Sequence, residues 1–222
     1  MKVSLQYFKG MHTGKRIWVC GSGGSLLDVN PKLIPDDDII ICCNSSTEHF
    51  KDSRIDYACY TDGTITFDKN YLECKANSFI LFNEEVNEVH SNTFRLGKKE
   101  DNFKFLPDDS KVIFGYDVIH CAVHLAWMMG AAKIILAGVD LKHSDGKKYS
   151  YEHRIIDEAP QGIHDILKET GKFNHDRYDG WLGASLGGWE LINSLNSNLP
   201  IVTISQDTNL KLYPSIAFKD IV

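Results

Sequence analysis

From residue 16 onward, short runs of apolar residues alternate with longer segments in which apolar positions recur at three- and four-residue spacing. The runs at 16–20, 39–43, 57–61, 78–82, 133–137 and 201–205 are continuous rather than alternating, and turn residues bound most of them. Continuous apolar runs of that length fit strands buried on both faces, which is the condition of a parallel sheet covered by helices. The strongest helical period lies at about 116–129, where Val118, Cys121, Ala122, Leu125, Ala126 and Met129 form one stripe and Gly130 supplies a stop. A second helix is predicted at about 185–195 on Leu186, Trp189, Ile192 and Leu195, with Pro200 opening the last strand. Between them, 142–183 is polar and weakly periodic, and reads as a lid-like insertion carrying a short helix near 163–169. The expected fold is therefore α/β: a single Rossmann-like, doubly wound, mainly parallel sheet over 1–222, with a lid insertion.

Composition narrows the picture without changing it. The 222 residues are 43% hydrophobic and 24% charged, which suits one globular domain and excludes disordered and fibrous chains. Lys and Arg number 24 against 30 for Asp and Glu, and a net charge of −6 offers no global attraction for nucleic acid. The longest uncharged stretch, 118–132, contains His120 and His124 and is shorter than the roughly 18 apolar residues of a membrane span. Of six cysteines, four lie inside apolar runs and none forms C-x-x-C, so buried thiols are expected. With no signal-like N-terminal segment, a reducing, cytoplasmic setting follows.

The candidate chemistry gathers where strands end. After the first strand comes Gly21-Ser22-Gly23-Gly24-Ser25-Leu26, a turn whose glycines let backbone N–H groups approach a phosphate. It spells neither G-x-G-x-x-G nor a P-loop. The second strand runs into Asn44, the third into Asp62 and the fifth into Gly138-Val139-Asp140. All of these are expected at the carboxyl edge, where open α/β sheets bind ligands. His120 and His124 stand four apart on the long helix, but Cys-Ala-Val between them lacks the glutamate of H-E-x-x-H, and a packed helix face is the preferred reading. The insertion holds His143, His153, His164 and His175, side chains suited to deprotonating a sugar hydroxyl. Tyr149, Tyr151, Phe173, Tyr178 and Trp181 add flat surfaces for a sugar or base.

Three of these blocks carry a family resemblance. The turn 21–26 resembles a G-[NAS]-G-P-S-L motif with Gly24 in place of proline. Ile41-Cys42-Cys43-Asn44 resembles a strand ending in a nucleotide-binding asparagine. The blocks 118–123 and 133–141 resemble a helix, a strand and a G-x-D-[LF] tip. The pattern is similar to the small bacterial sialyltransferases and to a related domain family of flagellin-modification and phage proteins, which includes archaeal 6-hydroxymethylpterin diphosphokinases. The stretch 140–149 is similar to a D-L-x-x-x-D-G-K run of the latter branch.

The resemblance implies that Gly21, Ser22, Gly23, Gly24, Ser25, Asn44, Asp62, Gly138 and Asp140 hold a nucleotide, with Asp62 standing where the sialyltransferases have asparagine. Lys142 and Tyr149 take the places of two tyrosines that assist departure of the phosphate. The position of the sialyltransferase base, near 179–184, has no histidine, leaving His153 or His175 for that role. Three functions stay open. One is a glycosyltransferase with a nucleotide-activated, CMP-linked donor and a glycan acceptor. The second is an ATP-dependent diphosphokinase in which Asp62 and Asp140 hold Mg or Mn. The third is a non-catalytic nucleotide-binding module.

Overall fold

The structure, a computed structural model, describes residues 1–83, 86–100, 102–142, 154–169, 175–205 and 207–222, and of 166–169, 175–179 and 181 the backbone alone. Nine strands are described: β1 (Arg16–Cys20), β2 (Ile39–Cys43), β3 (Tyr57–Tyr60), β4 (Ser78–Leu81), β5 (Thr93–Arg95), β6 (Lys98–Lys99), β7 (Val112–Ile113), β8 (Lys133–Ala137) and β9 (Ile201–Thr203). The helices are α1 (Lys69–Leu72), α2 (Val118–Met128), α3 (Gln161–Glu169) and α4 (His175–Leu195), joined by several 3-10 turns. Seven strands form one fully parallel sheet in the order β5-β4-β3-β2-β1-β8-β9, and β6 and β7 pair separately. The chain thus steps outward from β1 to β5, then returns to the other side of β1. That reversal places a topological switch point between β1 and β8, the doubly wound arrangement expected from the apolar pattern.

Each strand feeds two cores because successive side chains face opposite ways. Ile17, Val19, Ile41, Cys43, Ile134 and Leu136 pack against α2 and against Trp189 and Ile192 of α4. Trp18, Cys20, Ile40, Cys42, Ile135 and Ala137 pack under Leu26 and Ile65 of short 3-10 turns, Phe50 of the turn after Glu48, and Tyr71 of α1. The early crossovers therefore cover one face with tight turns, and the later helices cover the other. All six cysteines are free, five of them buried, and burial pushes the Cys42, Cys43 and Cys121 thiols up.

Three features depart from the sequence pattern. β5 is only three residues long and β6 and β7 two each, too short for any period to register. α4 begins at His175, ten residues before the predicted start, because Gly180, Gly183, Gly187 and Gly188 depress the helical signal along its length. The short helix expected near 163–169 is α3, and the unexpected part of the insertion is 175–183, which is helical as the start of α4. Arg154 to Ile156 is strapped to the β3 side of the sheet. Lys69 donates its N–H to the Arg154 carbonyl at 2.6 Å, Ile155 pairs with Asp68, and Ile156 donates to the Phe67 carbonyl at 3.1 Å.

The two histidines of α2 are core residues, both fully buried. The His124 Nδ1 accepts the Ile113 N–H at 3.0 Å, so the proton sits on Nε2, 3.2 Å from Asp109 Oδ2 and poorly aligned with it. Phe105 stacks on the ring at 4.3 Å, and Lys99 pairs with the other side of Asp109. Burial holds His124 well below the usual histidine range and lowers His120 to about 4, although Asp117 and Asp109 pull the other way. Both rings are therefore neutral when folded but take up protons below about pH 6.5 when unfolded. A lowered histidine pKa gives stability that is complete above the unfolded value and shrinks as pH falls toward the folded one, by up to about 3 kcal/mol for His120 at pH 4. Urea unfolding from pH 7.5 to 4.5 should show declining stability from near pH 6.5, with a shallower decline in His124→Gln. A flat profile in the native protein would contradict neutral burial of these rings.

Candidate functional site

The carboxyl edge is organised around the contact between the ends of β1 and β8. The Gly21 N–H donates to the Ala137 carbonyl at 2.7 Å, and the Gly23 N–H to the Gly138 carbonyl at 2.8 Å. The Asp140 carboxylate then reaches back across the gap. Its Oδ2 accepts the Ser25 N–H at 2.9 Å, and its Oδ1 accepts the Ser25 hydroxyl. The glycines make this approach possible: a Cβ on Gly21 would lie 2.6 Å from the Gly138 carbonyl oxygen, and one on Gly23 would lie 2.7 Å from Asp140 Oδ2. Gly138 itself has φ +65°, which only glycine adopts without strain, and a side chain there would meet the Gly21 carbonyl.

This geometry redistributes the roles of the turn residues. Gly21, Gly23 and Ser25 spend their N–H groups on β8, and among the described residues Ser22 and Gly24 keep theirs uncommitted at the half-buried tip. Asp140 is 4% exposed, and both of its oxygens are engaged by Ser25. It therefore fixes the turn rather than facing solvent. The far side of the same tip is stapled by residues that the sequence reading missed. Thr208 Oγ1 donates to the Val139 carbonyl at 2.8 Å, and Asn209 donates its N–H to the Asp140 carbonyl at 2.8 Å and its side-chain amide to the Leu141 carbonyl at 2.9 Å. Leu141 has φ +47° and is held there by these bonds. The only sequence signal was a run of turn-forming residues after the last strand.

At the end of β2, Asn44 has φ +51°, and among the described residues its buried Oδ1 finds no hydrogen-bond partner, nor does the neighbouring Ser45 hydroxyl. A strained backbone and an unsatisfied buried acceptor at a strand tip are features of ligand sites. Ser46 ties this tip to the glycine turn: its hydroxyl accepts the Cys43 N–H and donates to the Cys20 carbonyl, both at 2.9 Å. One strand further out, Asp62 is exposed and accepts the Thr64 N–H at 2.9 Å as the cap of a 3-10 turn.

The metal expectation is corrected here. Asp62 is a turn cap and Asp140 is saturated by Ser25. No group of three or more His, Cys, Asp or Glu side chains that could hold a metal exists among the described residues. Among the described residues the donor set expected for Mg or Mn does not form.

The remaining candidates divide. Lys142 follows the β8 tip and pairs with the exposed Asp207, whose carboxyl the lysine holds below its usual value. Tyr149 and His153 lie outside the described residues, as does His143. His175 is the first residue of α4. Arg154, not singled out by the sequence, links the strap to the ligand edge: its guanidinium bonds Asn70 at 2.7 Å, Glu48 at 2.8 Å and Glu73 at 3.1 Å, and Glu48 closes the turn that begins at Asn44. Asp117 caps α2 through the Ile119 N–H at 2.8 Å and receives the Ser185 hydroxyl of α4 at 3.1 Å. Ile119 lies close enough to Gly21 that a Cβ there would stand 3.2 Å from its Cδ1, so the start of α2 backs the glycine turn.

A parallel sheet with a glycine turn, a strained asparagine and a second strand tip converging at its switch point defines an α/β domain of Rossmann-like type. The chain belongs to the 6-hydroxymethylpterin diphosphokinase MptE-like family, whose model matches residues 1–146. Among solved structures it is similar to the Campylobacter jejuni sialyltransferase CstII with the substrate analogue CMP-3FNeuAc, at 15% identity and TM-score 0.55, over 91% of this chain and 86% of that one. It is similar to the monofunctional α-2,3-sialyltransferase Cst-I of the same organism at 16% identity and TM-score 0.52, over 91% and 80% of the two chains. The MAf glycosyltransferase of Magnetospirillum magneticum AMB-1 matches 99% of this chain with 38% of its own, at 13% identity and TM-score 0.57. No curated protein sequence matches the chain. At these identities the shared property is the fold.

The β1–β8 lock makes a definite prediction for its members. Gly23→Ala should displace the turn and lower stability by about 1–3 kcal/mol through overpacking. Asp140→Asn, which weakens a charge-assisted bond to the Ser25 N–H, should lower it by about 1–2 kcal/mol. Urea unfolding measures both, and native-like stability in the two variants would show that the tips are not held by this contact.

Proposed function

We propose that this protein is a glycosyltransferase-like enzyme whose donor is a nucleotide-activated, CMP-linked sugar. The observation that carries the reading is the unsatisfied Asn44 Oδ1 beside the glycine turn at the switch point. An orphaned acceptor calls for a ligand donor, and a ribose hydroxyl or an exocyclic amine supplies one. The uncommitted N–H groups of Ser22 and Gly24 receive the phosphate. The fold neighbours include sialyltransferases solved with CMP or a CMP-sugar analogue, which supports this donor class. The unpaired cysteines suit a cytoplasmic setting, where such donors are made available.

In this reading the acceptor hydroxyl of a glycan attacks the anomeric carbon as the bond to the phosphate oxygen breaks. His153 or His175 takes the hydroxyl proton, and CMP leaves with its charge stabilised by Tyr149 and by Lys142, which exchanges Asp207 for the phosphate. Lys142 at the β8 tip and Arg154 beside α1 stand at either end of the stretch that carries Tyr149 and His153. Ligand-stabilised folding tests the reading directly. CMP should raise the melting temperature without added metal, and Asn44→Ala should weaken CMP binding by about tenfold or more, the worth of one to two hydrogen bonds. ATP with magnesium stabilising the fold more than CMP would favour the diphosphokinase chemistry instead. CMP binding with no transfer to any glycan would favour a binding module.

A further inference from the structure

Behind the carboxyl edge, three side chains from separate parts of the chain meet in the interior. His120 of α2 and Trp189 of α4 are fully buried, and Tyr213 of the C-terminal segment is 8% exposed. The His120 and Trp189 rings lie 4.5 Å apart, edge to face, and the Trp189 and Tyr213 rings 5.8 Å apart. Both His120 ring nitrogens, Trp189 Nε1 and the Tyr213 hydroxyl are buried, and among the described residues none of them meets a partner in good hydrogen-bond geometry, the Gly115 backbone reaching His120 only loosely.

A single orphaned polar atom in a core is tolerable, but four on three touching side chains would each bear the desolvation penalty of an unmade bond. Their chemistry is also complementary to one kind of guest. Indole N–H only donates, a phenol hydroxyl does both, and a neutral imidazole donates from one nitrogen and accepts at the other. We infer that His120, Trp189 and Tyr213 form an internal hydration site, in which ordered water joins α2, α4 and the C-terminal segment.

The packing sets the size of the guest. Gly188 presses against this corner so closely that a Cβ would stand 2.8 Å from the Gly115 carbonyl oxygen and 3.0 Å from His120 Cε1, which excludes an organic ligand as the guest. Burial keeps His120 uncharged despite the nearby Asp117 carboxylate, so the imidazole retains one accepting nitrogen. The site is independent of the nucleotide reading, since it needs neither donor nor acceptor.

Two measurements decide it. In a water-selective NMR experiment on protein labelled with 15N, the Trp189 indole N–H should show a cross-peak to long-lived water, assigned by its loss in Trp189→Phe. The second uses Tyr213→Phe, which keeps the ring and removes only the hydroxyl. If that hydroxyl bonds water, its loss should lower the melting temperature by about 2–4 °C. If the corner is dry, removing an orphaned hydroxyl leaves the melting temperature unchanged or raises it. The inference stands only when both expected results are obtained. A missing cross-peak, or a Tyr213→Phe protein at least as stable as the native one, overturns it.

Discussion

The structure turns on the contact between the ends of β1 and β8. Two parallel strands that diverge at a switch point would ordinarily leave a gap between their following loops. Here backbone bonds from Gly21 and Gly23 and the reach of Asp140 to Ser25 close it. Because Gly21, Gly23 and Gly138 lack side chains, the loops approach more closely than any other residues would allow. The turn is thereby rigid before any ligand arrives, and the N–H groups it does not spend internally are held at the edge. Preorganisation of that kind lets a phosphate bind without first ordering the loop.

The same contact determines the electrostatic character of the edge. A buried carboxylate at the base of a phosphate site would repel its ligand, but Asp140 is satisfied by an N–H and a hydroxyl from Ser25. Asp62, the other carboxylate nearby in sequence order, caps a turn and stays exposed. The edge thus carries the uncommitted N–H groups of the turn and the amide of Asn44 alongside one buried and one exposed carboxylate. The family model and the fold similarity name different relatives, a pterin diphosphokinase-like family and sialyltransferase structures.

The back of the site is built with equal economy. Asp117 caps α2 and holds Ser185, and Ile119 leans on Gly21, so the helix that follows the outer strands is tied to the turn that follows the first one. Arg154 performs the matching task on the other flank by joining Glu48, Asn70 and Glu73. Residues far apart in sequence are thereby held to one edge by side chains that do not themselves face the ligand.

The sequence by itself determined the six main strands, the long helix and its stop at Gly130, because continuous apolar runs and a 3.6-residue period are local consequences of burial. It also placed Gly21, Asn44, Asp62 and Asp140 at strand ends, since a strand's direction fixes which end its last residue occupies. Only the tertiary structure decided what those residues do there. That Gly23 makes room for Asp140, that Asp140 locks a turn, and that Thr208 and Asn209 staple the same tip depend on contacts between residues more than sixty positions apart, and no local pattern records them. The early start of α4 was hidden for the opposite reason: its glycines weaken the local signal, and packing against α2 restores the helix.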